Sequence, residues 1–142
     1  MAVRRSEIFL VEDNPVDVQL LHRCLRHATF PYHLSVVNDA EAALAFLQRH
    51  APYTEAPTPD LILLDIYLLG KSGWDILQWL KATPALAPLP VVMLTGVLSS
   101  LDAQLRDHLQ PTLCLEKPLT VEGARDLTAI LEELIRQNTS AD

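Results

Sequence analysis

Five short apolar runs alternate along this chain with longer stretches of helical period, and no other feature restricts its folding as much. The runs are EIFLV (7–11), HLSVV (33–37), DLILL (60–64), PVVML (90–94) and TLCLE (112–116). Apolar runs this short suit strands covered on both faces, and the stretches between them suit the covering helices. The pattern predicts an α/β fold, a doubly wound five-stranded parallel sheet, with helices over 14–28, 39–50, 72–83, 98–109 and 118–136. Asn14 is placed to cap the first helix, Pro15 suits its first position, and Asp17 lies in its first turn, where the helix dipole favours a negative charge. Leu127, Ile130, Leu131, Leu134 and Ile135 recur as one apolar face of the last helix. All ten prolines fall at element starts or in connections, where a ring without an N–H is tolerated. The longest connection, APYTEAPTP (51–59), reads as a semi-rigid surface loop within a single domain.

Eighteen acidic residues against eleven basic ones give a formal charge of −7, and the basic residues are scattered. That argues against a nucleic-acid interface, which needs a basic stripe. No apolar segment approaches the ~20 residues of a membrane span, and acidic residues interrupt the amino-terminal apolar run, so a cytoplasmic protein is expected. Cys24 and Cys114 lack the spacing of a zinc or redox pair and read as small apolar residues in a reducing compartment. The five histidines, His22, His27, His33, His50 and His108, are scattered and read as surface or helix-end residues. Trp74 and Trp79 point about 140° apart on the third helix and read as packing residues.

The run LILLDIYLLG (61–70) sets one carboxylate, Asp65, among Leu and Ile. A buried charge costs several kcal/mol unless it is paired or bound to a cation, so its partner must come from elsewhere. In strand order 2-1-3-4-5, one of two common for this pattern, strands 1 and 3 are neighbours, and ligands bind beyond the strands' carboxyl ends. Adjacent strands lie about 4.8 Å apart, so Glu12 and Asp13 after strand 1 and Asp65 after strand 3 converge on a place suited to one small hard cation, Mg²⁺. Strand 4 ends in Thr95 and strand 5 in Lys117. A carboxylate nucleophile, acidic ligands, a hydroxyl donor and a fixed positive charge are the parts that phosphoryl transfer to an aspartate requires. Each residue also has a plain reading as a helix cap or surface group; the combination at four strand ends is what carries the argument.

At these residues the chain resembles the receiver domain of two-component response regulators, over residues 6–136, with 137–142 as a tail. The resemblance implies the flavodoxin-like (βα)5 fold in the order 2-1-3-4-5. VEDN would supply the acidic pair Glu12 and Asp13, LLD the phosphoacceptor Asp65, MLTG the switch Thr95 with Gly96 behind it, and EKP the phosphate-binding Lys117. It also implies a metal bond from the Tyr67 backbone carbonyl and a cis peptide between Lys117 and Pro118. EDNPVDVQLL, with the long loop, is similar to single-domain regulators that partner phytochrome histidine kinases. The function implied is a non-enzymatic switch that takes a phosphoryl group from a histidine kinase and assists its own phosphorylation and dephosphorylation. Only QNTSAD follows residue 136, so the expected output runs through protein contacts, and a homodimer through helix 4, strand 5 and helix 5 is anticipated, with Leu98, Leu101 and Leu105 as apolar candidates.

Three residues depart from the family's pattern. Leu69 replaces a usual proline, Cys114 stands where a Tyr or Phe ring normally swings inward, and bulky Tyr67 is expected to shield the aspartyl phosphate from water. The departures leave a second reading, a receiver fold used as a phosphorylation-independent scaffold. A haloacid-dehalogenase-type phosphatase would need an aspartate where Tyr67 stands, and a flavodoxin would need a Ser/Thr-rich phosphate loop after strand 1.

Overall fold

The computed structural model describes residues 5–140 apart from 69 and 119. Its strands are β1 (Ser6–Val11), β2 (Tyr32–Val37), β3 (Leu61–Asp65), β4 (Val91–Thr95) and β5 (Leu113–Glu116), paired in parallel in the order β2-β1-β3-β4-β5. The helices are α1 (Pro15–Leu25), α2 (Ala40–Gln48), α3 (Gly73–Lys81), α4 (Ala103–Leu109) and α5 (Val121–Ser140). The doubly wound architecture and strand order expected from the sequence are those observed. Strands β3 and β4 are buried along their whole length, because each lies between two neighbours and beneath helices on both faces.

Side chains alternate across the sheet and sort the core into two layers. Phe9, Val11, Ile62, Leu64, Val91 and Met93 face α2, α3 and α4, and Phe9 stacks on Phe46 with ring centroids 4.2 Å apart. Ile8, Leu10, Leu61, Leu63, Val92 and Leu94 face α1 and α5. From α5, Leu127, Leu131 and Ile135 are buried in that second layer, with Leu134 packed beside them. Trp74 and Trp79 both pack on the first layer, and Cys24 is buried while Cys114 is half-buried.

Three local expectations need correction. Residues 98–109 do not form one helix: a single 3-10 turn, Leu98–Ser100, is followed by extended Leu101 and then α4. The side chain of Asp102 accepts from the backbone N–H groups of Gln104 and Leu105, so it starts a new helix where continuation was expected. Among the described residues the cis peptide bond is Ala51–Pro52; Lys117–Pro118 is trans, the form that X–Pro bonds generally prefer. The last helix starts at Val121 and runs to Ser140, beyond the predicted end. Leu69 lies outside the described residues.

Candidate functional site

Register brings the acids together. Val11 pairs with Leu64 across parallel strands, so the next residues, Glu12 and Asp65, stand level at the carboxyl edge of the sheet. Oxygen atoms of Glu12, Asp13 and Asp65 lie within 4.8 Å of one another. Glu12 is fully buried and Asp65 nearly so, 5% exposed. Close behind, Gly73 opens α3 against the backbone of Asp65. A Cβ on Gly73 would stand 2.3 Å from the Asp65 carbonyl oxygen, so only glycine lets this helix start so near the acid. Ser72 and Asp75 close a reciprocal capping box there.

Lys117 reaches in from β5. By alternation it continues the face of Leu115, which packs on the α1 and α5 side, the same face that Leu10 and Leu63 assign to Glu12 and Asp65. Its Nζ lies 2.8 Å from Glu12 Oε2, 3.3 Å from Asp65 Oδ2 and 2.7 Å from Asp17 Oδ2. Asp17 is a partner that sequence reasoning missed, because its first-turn position had a sufficient explanation in the helix dipole. The overlooked signal was the register of α1: with Asn14 as cap, accepting from Val16 N, and Pro15 first, Asp17 is the third helical residue, above the strand ends.

Thr95 continues the opposite face, that of Met93. Its Oγ1 donates to Val97 O and accepts from Val97 N, each at 3.3 Å, so the hydroxyl is turned toward the chain leading to the 3-10 turn. The backbone N–H of Tyr67 donates to Asp65 Oδ1 at 3.3 Å, and the residue is 62% exposed. Beside Asp13 an open groove runs along α2, lined in part by Lys71 and, past the end of that helix, by exposed His50. His33 instead pairs with Glu7, its register partner, at 2.8 Å.

Electrostatics follow from this crowding. Burial, reinforced by a hydrogen bond with Asp65 and opposed by Lys117, pushes the Glu12 carboxyl up to about 7. Burial pulls the Lys117 ammonium down, but the carboxylates of Asp17, Glu12 and Asp65 outweigh it and raise its pKa. Burial also raises both cysteine thiols. The fully buried Oε2 of Glu12 accepts no hydrogen bond of good geometry among the described residues and lies 2.8 Å from the Lys117 ammonium. An all-oxygen set with such an under-satisfied acceptor fits a hard divalent cation held by Glu12, Asp13 and Asp65.

A five-stranded sheet of this order, with acids after β1 and β3 and a lysine after β5, defines the class. Residues 8–132 match the response regulator receiver domain family, and the chain belongs to it. It is similar to the response regulator Rcp1 of Synechocystis sp., 42% identical over 88 residues, which are 62% of this chain and 60% of Rcp1, less than two thirds of that relative's length. Among solved structures it is similar to the phosphorylated cyanobacterial phytochrome response regulator RcpA, with TM-score 0.81 at 32% identity, covering 92% of this chain and 93% of RcpA. The Mn²⁺-bound form of Rcp1 gives TM-score 0.79 at 33% identity, covering 90% of this chain and 92% of that one. No helix among the described residues is long and apolar enough to cross a membrane.

Proposed function

We propose that this receiver is a phosphorylation-operated switch in which Asp65 accepts a phosphoryl group from a histidine kinase. The observation that carries the reading is the nearly buried Asp65 with Lys117 Nζ at 3.3 Å and two further acids within 4.8 Å. In the transfer, an Asp65 carboxylate oxygen forms the new bond to phosphorus as the phosphorus–nitrogen bond of the donor histidine breaks, and the departing imidazole takes up a proton. Mg²⁺, held by Glu12, Asp13, Asp65 and the Tyr67 carbonyl, would neutralise charge on the equatorial oxygens. Lys117 neutralises that charge from the other side, and Thr95 turns its hydroxyl from Val97 to the phosphoryl group. Tyr67 screens the phosphate from water.

The likeness to phytochrome response regulators supports a phytochrome kinase as the donor and a cytoplasmic setting. Exposed Leu98, Leu105 and Leu113, with Val97 and Val121, support a homodimer through α4, β5 and α5. The test is incubation with acetyl phosphate and Mg²⁺ followed by intact-mass measurement. The wild type should gain one phosphoryl mass and Asp65→Asn none; a wild type that gains none would overturn the reading.

A further inference from the structure

Lys117 is held by three carboxylates, and the nearest belongs to a residue for which the proposed chemistry has no role. The contacts are 2.7 Å to Asp17, 2.8 Å to Glu12 and 3.3 Å to Asp65. Of the three, the contact to Asp17 is a hydrogen bond of good geometry and those to Glu12 and Asp65 are ion pairs, so the ammonium is directed at Asp17, and a phosphoryl oxygen arriving on Asp65 is met squarely only if that hydrogen bond lets go. The three carboxylates are not equally able to release the ammonium. Glu12 is fully buried, so water cannot take the place of the ammonium there. Asp65 is the acceptor itself. Asp17 is 24% exposed at its side chain, so water can replace the ammonium, and the positive end of α1 stabilises the charge left behind.

We propose that Asp17 is a positioning residue that draws the Lys117 ammonium off Asp65 at rest and hands it to the phosphoryl group during transfer, so that it sets the rate of phosphoryl uptake. The inference rests on the reading of Asp65 as phosphoacceptor. The same contact ties the first turn of α1 to the end of β5, so the hand-over loosens that tie as the switch turns on.

The test compares wild type, Asp17→Asn and Asp17→Glu in two measurements. The first is acylation of lysine by an amine-reactive ester, without phosphodonor, read by peptide mass spectrometry. The chain has three lysines, and Lys71 and Lys81 are exposed internal references. Lys117 should react slowly in wild type, at least about twofold faster relative to the references in Asp17→Asn, and slowly again in Asp17→Glu. The second is the rate of phosphoryl uptake from acetyl phosphate with Mg²⁺. It should rise about two- to fivefold in Asp17→Asn, the span of a partly exposed ion pair, and return toward wild type in Asp17→Glu. If wild type takes up phosphoryl but Asp17→Asn matches it in uptake or in Lys117 labelling, this inference alone is overturned. If wild type takes up none, the phosphoacceptor reading falls and this inference with it.

Discussion

Two connections leave the same edge of the sheet and are built in opposite ways. After β1 the chain enters α1 through an Asn14 cap and Pro15, buries Leu21, Cys24 and Leu25, and is tied to β5 through Asp17 and Lys117. After β4 it passes exposed Gly96 and Val97, makes one 3-10 turn, breaks at Leu101 and ends in a seven-residue helix with one buried side chain, Leu109. Local stability scales with buried apolar contact, so the first connection is a fixed wall of the site and the second a light, re-orientable one. Thr95, bonded to Val97, joins the acid cluster's edge to the light side. The proposed switch would draw on that asymmetry: one side to hold the chemistry, the other to report it.

The largest effect that would break this comparison lies in core truncation. Leu21→Ala, fully buried on α1, should cost about 3 kcal/mol of unfolding free energy in urea, whereas Leu105→Ala, 36% exposed on α4, should cost under about 0.5 kcal/mol. Equal costs would show that α4 is as firmly packed as α1. Next come two glycines at the same edge. Gly73→Ala meets a backbone oxygen and should lose about 2 kcal/mol, while Gly96→Ala, with nothing within 4 Å of the added Cβ, should stay within about 0.5 kcal/mol of wild type.

A smaller effect concerns pH. Folded Glu12 keeps its proton up to about 7, against 4.5 for an ordinary glutamate, so between these values the folded chain binds more protons than the unfolded one. Stability without divalent cations should therefore fall as pH rises through that window, by a few degrees of Tm, and Mg²⁺ should remove the fall by replacing the proton. A melting temperature independent of pH and Mg²⁺ across that range would contradict the buried acid pair. Smallest is the cap: Asn14→Ala should cost about 1 kcal/mol and speed amide exchange in the first turn of α1, leaving exchange in α4 unchanged.

Much of the fold was legible because its signals are local. Short buried strands announce themselves as apolar runs, and every strand lies within one residue of its predicted bounds. Helix starts were legible where a side chain caps its own helix, as at Asn14, and misread where a cap interrupts a longer apolar pattern, as at Asp102. Of the candidate site, the three acids and Lys117 could be brought together on paper because strand ends share an edge. The direction of Thr95 could not, since it depends on which face of β4 meets which helix layer.

The sequence by itself determined five parallel strands with their helices and the chemistry carried at each strand end, because period, caps and residue type are properties of neighbours in the chain. Tertiary structure alone decided that Lys117 is shared among Glu12, Asp17 and Asp65, that Gly73 must lack a side chain, and that the stretch after β4 is lightly held. Those outcomes turn on distances between segments far apart in sequence. Register and helix packing set such distances to fractions of an ångström, and a linear pattern carries no measure of them.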